Sequence, residues 1–246
     1  MIASPALPCA QIFLVGTAHV SRQSAEEVRD MIRLVKPGAV MVELCAGRAA
    51  RLRSGTTDQD FLKQMLGSMF APGGSLSQKL VQVSLPMMYR VMKLLGMDPG
   101  GEFKVALQEA ERIGARVVYG DRDVNGTLQR LSQTMGLQEL MAMMTGRGMP
   151  EPPPGVVELM MQQGTSNVEA QVEGLKTRAL VREMAEYMRR VNPRLAEALI
   201  DERDQHMVDS LSRLEGRVVG VVGLAHLDGI ERRWEELQAK PRALAR

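Results

Sequence analysis

Short apolar runs alternate with amphipathic helical segments along this chain, and this alternation is the feature that most restricts its fold. A buried strand is predicted at residues 11–16, a helix follows as far as Pro37-Gly38, and a second strand is predicted at residues 39–45. A strand, a helix and a strand in this order give parallel strands joined by a right-handed crossover. The first 45 residues therefore predict an α/β fold with a mainly parallel central sheet.

The same order of elements returns later in the chain. A helix is predicted at residues 100–115 with Gly114 at its end, and a third strand follows at 116–123. A fourth apolar run begins at residue 217 and leads into the last helix. We therefore expect at least four parallel strands in one sheet.

Two long helical insertions are predicted between these elements, at about residues 58–98 and 123–214. In the second insertion, Asn192 and Pro193 are placed to begin a helix as its cap and its first-turn proline. Similar motifs stand at the two ends of the chain, so residues 1–246 are expected to form one domain, with the insertions as a lid or a cleft wall.

Two apolar runs lead directly into Gly-x-x-His, at Gly16 to His19 and at Gly223 to His226, in a chain with only three histidines. Glycine allows a sharp turn out of a strand and a close approach of another backbone or a ligand. In open parallel sheets, ligands bind in the crevice beyond the carboxyl ends of the strands. We therefore expect both imidazoles to reach one pocket at that edge of the sheet.

Charged side chains are predicted at the same edge. Glu43 ends the second strand, and Asp121 and Arg122 end the third. Two imidazoles with one or two carboxylates suit a divalent transition metal that keeps an open position for water. Arg122 or Arg48 could bind a substrate carboxylate or stabilise an oxyanion.

Each of these residues also has a purely structural interpretation. A single Gly-x-x-His is most often a helix cap or a core histidine, Glu43 could accept hydrogen bonds from a helix N-terminus, and Asp121 could be a turn residue. Cys45 is interpreted as a small buried apolar residue. Glu202 and His206 are interpreted as an ordinary pair on one helix face.

Composition excludes several classes of protein. The net charge is only +2 and aromatic residues make up 3% of the chain, which argues against nucleic-acid binding. The most apolar stretch, residues 84–97, contains Arg90 and Lys93, so we expect no membrane span. Two cysteines, Cys9 and Cys45, and no signal-peptide pattern favour a reducing compartment, either cytoplasmic or organelle-associated.

Six motifs together resemble the TraB/PrgY family of TraB-domain and pheromone-shutdown proteins. They are GTAHVS at 16–21, VELCAGR at 42–48, GGEFKVALQEA at 100–110, GDRDVNGTLQR at 120–130, ERDQHM at 202–207 and VVGLAHLDGI at 221–230. The resemblance implies an α/β core shared with Tiki proteins, erythromycin esterases and ChaN haem-binding proteins. It also implies that this chain corresponds to the soluble domain, without the membrane-spanning region of the bacterial members.

The same resemblance implies site residues and a cofactor. Tiki proteins are metal-dependent proteases that prefer manganese or cobalt. The positions that match the family's motifs as metal ligands are His19, Glu43 and His226. The positions that match as further site or supporting residues are Glu102, Arg122, Glu202 and Arg203.

We therefore expect a metal-dependent hydrolase that acts on a peptide or a similar amide or ester through a metal-activated water. His19 and His226 would bind manganese, cobalt or zinc, Glu43 would be a ligand or the general base, and Arg122 would be the clamp for a carboxylate or an oxyanion.

Two alternatives stay open. The chain contains 19 methionines, which either fill helical cores or line an adaptable cleft. Such a cleft would suit a non-catalytic module that sequesters a peptide or a haem-like ligand. The second alternative is a scaffold at an organelle surface, because eukaryotic TraB-domain proteins are linked to mitochondrial outer membranes. A homo-oligomer is compatible with each of these functions.

Overall fold

The computed structural model describes residues 10–17, 22–54, 101–123, 126–127, 130, 142, 148–155, 157 and 178–239. Its strands are β1 (Gln11–Thr17), β2 (Ala39–Val42), β3 (Arg116–Tyr119) and β4 (Arg217–Gly223). Its helices are α1 (Arg22–Val35), α2 (Ala46–Ser54), α3 (Gly101–Ile113), α4 (Arg178–Val191), α5 (Pro193–Ala196), α6 (Glu202–Leu211) and α7 (Leu224–Ala239). His19 and the predicted insertion at about 58–98 lie outside these residues.

The four described strands form one parallel sheet in the order β1-β4-β2-β3. β4 lies between β1 and β2, so that Thr17 is beside Gly223 and Val42 is beside Val221. The last strand in sequence is therefore central in the sheet. This arrangement confirms the predicted α/β fold with a mainly parallel sheet.

Side chains of the sheet alternate between two apolar cores. Val40 and Val42 of β2 pack with α1, α2 and α3 on one face. Ala39 and Met41 pack with α6 and α7 on the other face. The period of two along a strand thus gives the sheet two buried faces, and the described elements form three layers.

The predicted second and third strands are longer than the observed ones. β2 ends at Val42, although the amide of Glu43 still donates to the carbonyl of Val221. β3 ends at Tyr119, and the chain then turns at Asp121, whose carboxylate accepts from the next amide. The strands therefore end at polar residues that no longer pair regularly with the neighbouring strands. These residues belong to the candidate site.

The chain enters α5 as the sequence predicts. Asn192 is extended, its side chain accepts from the amide of Leu195 at 3.0 Å, and Pro193 occupies the first turn. The continuation differs from the expected regular helix, because Glu197–Asp201 form a π-helical turn. The amide of Glu202 donates to the carbonyl of Glu197, five residues earlier. This wider turn contains one more residue than an α-helical turn needs.

Two helices that lead into strands begin at the carboxyl edge of the sheet. α3 precedes β3 and α6 precedes β4, and a helix that crosses back to a parallel strand runs opposite to it. Their first turns, which contain Glu102 and Glu202–Asp204, therefore lie where the strands end. α7 follows β4 with no intervening loop residue, so its first turn lies at the same edge.

Asn192→Ala should lower the free energy of unfolding by about 0.5–2 kcal/mol, because it removes the oxygen that accepts from the amide of Leu195. Urea denaturation of the two proteins measures the difference. Asn192→Ser, which keeps a capping oxygen, should lose little stability. Equal losses for the two variants would contradict a capping role.

Candidate functional site

Glu43 lies at the centre of a buried charged network at the carboxyl edge of the sheet. Its side chain is fully buried. Oε2 accepts a hydrogen bond of 2.6 Å from the amide of Gly223, the last residue of β4. Oε1 accepts from Nη2 of Arg203 and lies 3.3 Å from Nε2 of His226. Glu43 thus connects the ends of β2 and β4 with the helices α6 and α7.

Arg203 crosses the site from the first turn of α6. Its Nε and Nη2 each donate to Asp121, both at 2.9 Å, and Nη2 also binds Glu43. Nη1 donates to the carbonyl of Leu199 at 3.2 Å, within the π-helical turn. Arg48 of α2 donates to the same Asp121 carboxylate at 3.1 Å. Asp121 is therefore held by two buried arginines, which is more than a turn residue requires.

His226 lies in the first turn of α7 between two carboxylates. Nδ1 is 2.6 Å from Oδ1 of Asp204, and Nε2 faces Glu43. Burial by itself lowers the pKa of an imidazole, but these carboxylates outweigh it and raise the pKa of His226 to about 9. The site therefore stabilises a positive charge at this position.

Asp204 is a site residue that the sequence alone did not indicate. Its side chain is fully buried, and burial raises its pKa while the contact with His226 opposes that rise. Oδ2 also accepts from Nη1 of Arg233 at 3.3 Å. A signal was present, because Asp204 directly follows Arg203 at the start of a helix that leads into the central strand.

A second charged cluster lies beside this network and is partly exposed. Arg122 and Arg130 both bind the carboxylate of Glu202, with 3.0 Å between Nε of Arg130 and Oε1. Nε of Arg122 also donates to Thr127, and Nη2 donates to the carbonyl of Ala198. The Arg122 side chain is 23% exposed. Arg130 was not selected from the sequence.

The remaining residues that the sequence predicts for the site lie in different parts of the fold. Gly16 lies in β1, where an added Cβ would come within 2.9 Å of Cδ2 of Leu224, so the glycine permits the close packing of α7. Glu102 is buried in the first turn of α3. Cys45 is buried as a thiol, and His206 is exposed on α6. The side chain of His19 belongs to the part of the chain that the structure does not describe.

A metal site within the described residues could draw on at most two neighbouring His, Cys, Asp or Glu side chains. Within them, no group of three or more His, Cys, Asp or Glu side chains is arranged to hold a metal ion. Nε2 of His226 and Oε1 of Glu43, 3.3 Å apart, form one such pair.

The fold and the site define an α/β protein with a buried network of arginines, carboxylates and a histidine at the carboxyl edge of a parallel sheet. Its sequence matches the model of the TraB/PrgY/gumN family over residues 8–244. The chain belongs to this family. The match extends over nearly the whole chain, including both Gly-x-x-His motifs.

Several known proteins are similar to this chain. A TraB domain-containing protein of Homo sapiens is 27% identical over 248 residues, and these cover 91% of this chain and 62% of the human protein. An uncharacterized protein of Methanocaldococcus jannaschii is 28% identical over 231 residues, or 92% of this chain and 54% of that protein. The chain thus spans between half and two thirds of the length of these relatives. No helix in the described residues is long and apolar enough to cross a membrane.

Arg203→Met should lower the free energy of unfolding by about 3–5 kcal/mol, because it leaves the carboxylates of Glu43 and Asp121 buried without this cation. Urea denaturation measures the loss. Arg213→Met removes an arginine at an exposed position and is the matched control, which should change stability little. A loss at Arg203 no larger than that of the control would contradict the bridging role.

The ion pairs of Glu202 predict that its contribution to the free energy of unfolding depends on pH. Hydrogen bonds from Arg130 and Arg122 outweigh burial and hold the pKa of Glu202 below its ordinary value of 4.5. A carboxylate with a lowered pKa stabilises the fold above its unfolded pKa, and this stabilisation disappears as the pH falls through the folded pKa. Glu202→Gln should therefore be less stable than the wild type at pH 6 to 7, with the difference shrinking toward acid pH.

Urea denaturation of the wild type and Glu202→Gln, from neutral pH down to acid pH, measures the difference in their free energies of unfolding. Glu215→Gln, which removes one negative charge at an exposed position, controls for net charge. A Glu202→Gln difference that stays constant with pH would show that the two arginines do not favour the ionised carboxylate.

Proposed function

We propose that this protein is a metal-dependent hydrolase that acts on a peptide or a similar amide or ester. The observation that carries the proposal is the pair formed by Nε2 of His226 and Oε1 of Glu43, 3.3 Å apart at the carboxyl edge of the parallel sheet. This edge is where open α/β sheets bind their ligands.

The pair fits a divalent metal in two respects. Histidine nitrogen and carboxylate oxygen bind zinc at about 2.0–2.2 Å, so two such atoms 3.3 Å apart can bind one ion. Asp204 binds the other ring nitrogen of His226, which is the usual arrangement behind a metal-binding histidine. His226 and Glu43 would therefore hold the metal, together with His19 of the other Gly-x-x-His motif.

The position of β1 supports the inclusion of His19. Thr17, the last residue of β1, lies beside Gly223 in the sheet, and the amide of Gly223 binds Glu43. The two Gly-x-x-His motifs thus leave the sheet from neighbouring strands. Residues 18–21 are outside the described part, so ligation by His19 is part of the proposal.

Manganese, cobalt or zinc in this position would supply Lewis acidity, which activates water and polarises a carbonyl. The side chains around it have separate tasks. Arg203 and the amide of Gly223 hold the Glu43 carboxylate in place by hydrogen bonds, and as general base it would accept a proton from water. Asp204 fixes the ring of His226.

Arg122 is proposed as the clamp for a substrate carboxylate or an oxyanion. It lies next to Asp121 and is partly exposed, and Glu202 and Thr127 hold its guanidinium in place. A substrate carboxylate would compete with Glu202 for this arginine. The clamp would therefore act on substrates that bring their own negative charge.

A second candidate function is a module that sequesters a peptide or a haem-like ligand without turnover. It is favoured by the complete burial of Glu43 and His226, because fully buried side chains are not in contact with a substrate. The described groove between α4 and α7 has a volume of about 390 Å³ and a mainly charged lining that includes Arg182, Asp228 and Glu231. Such a lining suits a charged peptide better than an apolar ligand. Turnover and metal content distinguish this module from the hydrolase.

Metal content tests the proposed ligands directly. Protein purified without added metal should contain manganese, cobalt or zinc by elemental analysis, and His226→Ala and His19→Ala should each reduce it to background. His206→Ala is the matched control, because this histidine is exposed on α6. Thermal melts must accompany the analysis, since His226 is fully buried and its loss lowers stability as well. Equal metal content in all four proteins would overturn the ligand assignment.

Glu43→Gln tests the two roles proposed for Glu43, because loss of a general base slows cleavage at full metal content, whereas loss of a ligand lowers the metal content as well. Removing the charge should slow cleavage of a peptide library by about 10²- to 10⁴-fold, the usual contribution of a general base. Glu197→Gln, in the π-helical turn, controls for the loss of one carboxylate. The wild-type protein, loaded with each of the three metals, must cleave some member of the library. Tight peptide binding without cleavage would replace the hydrolase by the sequestering module.

A further inference from the structure

Gly229 occupies an unusual place inside α7. A Cβ added at this residue would overlap Oδ2 of Asp204 and lie 2.7 Å from its Cγ. Real Cβ atoms do not come this close to a neighbour, so the carboxylate occupies the space that any other residue would fill. Glycine within a helix costs stability relative to alanine, by about 1 kcal/mol. The residue that stabilises the helix least therefore stands at the point where the Asp204 carboxylate lies against it.

The contacts of Asp204 explain why its carboxylate lies there. Oδ1 is 2.6 Å from Nδ1 of His226, three residues before Gly229 and thus on the same face of α7. Oδ2 accepts from Nη1 of Arg233, four residues after Gly229, at 3.3 Å. Asp204 therefore lies flat on α7 and contacts the residues on either side of the glycine.

Of the two carboxylates that flank the His226 ring, that of Asp204 lies closer, with Oδ1 2.6 Å from Nδ1. The carboxylate binds Nδ1, while Nε2 points to Glu43 at 3.3 Å. A rotation of the ring would break the first contact, because the ring has only this nitrogen on the Asp204 side. The orientation of the imidazole thus depends on where the Asp204 carboxylate lies.

We infer that Asp204 is the positioning residue for His226, and that Gly229 is required because it leaves the space for the Asp204 carboxylate. Together they turn Nε2 of His226 toward Glu43. The inference rests on the proposed function in so far as this nitrogen serves as a metal ligand. Gly229, in the motif LAHLDGI, is thus needed for the close approach of a side chain and not for a turn.

The orientation is testable in the metal-free protein. With ¹⁵N-labelled histidine, the chain gives signals from only three rings, and His206→Ala and His19→Ala identify two of them, so that the third belongs to His226. The Nδ1 and Nε2 shifts of His226 report the hydrogen bond of each nitrogen. Asp204→Ala and Gly229→Ala should both shift the Nδ1 signal. Asp204→Asn, which keeps an acceptor oxygen, should retain more of the wild-type pattern.

Gly101→Ala is the matched control, because a Cβ at this helical glycine meets nothing within 4 Å. It should leave the His226 signals unchanged. The double variant Asp204→Ala, Gly229→Ala should give the pattern of Asp204→Ala alone, since both changes act through one contact. It also guards against misfolding of Gly229→Ala, because removal of the carboxyl group removes the clash.

Metal affinity is the second measurement. Asp204→Ala and Gly229→Ala should each weaken metal binding by about 10- to 100-fold, the usual effect of losing the partner of a metal-binding histidine. Wild-type His226 signals in Gly229→Ala would overturn the role of the glycine, and wild-type signals in Asp204→Ala would overturn the whole inference. Absence of metal from the wild type would instead contradict the proposed function, while the ring signals still decide the positioning role.

Discussion

The buried guanidinium of Arg203 is the group on which the arrangement of the site depends. A cation without solvent needs opposite charge around it, and Arg203 finds it in Asp121 and Glu43, which follow β3 and β2. The guanidinium therefore joins the start of α6 to the ends of two strands. Since Glu43 also binds the end of β4, the position of each element at this edge is tied to the others.

This arrangement has a chemical consequence for Glu43. The fully buried carboxylate of Glu43 accepts from a guanidinium on one oxygen and from a backbone amide on the other, which fixes its position. His226 lies on the other side of Glu43, and the negative charge of Glu43 helps to raise the pKa of His226. The network therefore brings a carboxylate and an imidazole side by side, and both side chains are fully buried.

The sheet and much of the site could be predicted from the sequence because both follow from short-range patterns. Apolar runs bounded by glycine, proline and charged residues located the four strands, and residues at the strand ends were known to share one edge. This led to Glu43, Asp121 and His226. The same logic placed Asn192 at a helix start, which depends on a single side chain and its neighbours.

The missed residues depend on contacts between distant parts of the chain. Asp204 and Arg130 look like ordinary charged residues of helix surfaces, and only the packing of α6 against α7 buries Asp204. The π-helical turn was missed for a related reason. Its residues Ala198, Leu199 and Ile200 have the apolar pattern of a regular helix, so periodicity alone cannot reveal the extra residue.

That extra residue sets the angular phase of everything that follows it in α6. Each residue advances an α-helix by about 100°, so a regular turn in place of Glu197–Asp201 would rotate Arg203 and Asp204 by about that angle relative to α5. Neither could then reach its present partners. Substitution of an apolar side chain in the turn leaves this phase unchanged. An inserted or deleted residue there would change it, and a second insertion or deletion before Arg203 would be needed to restore it.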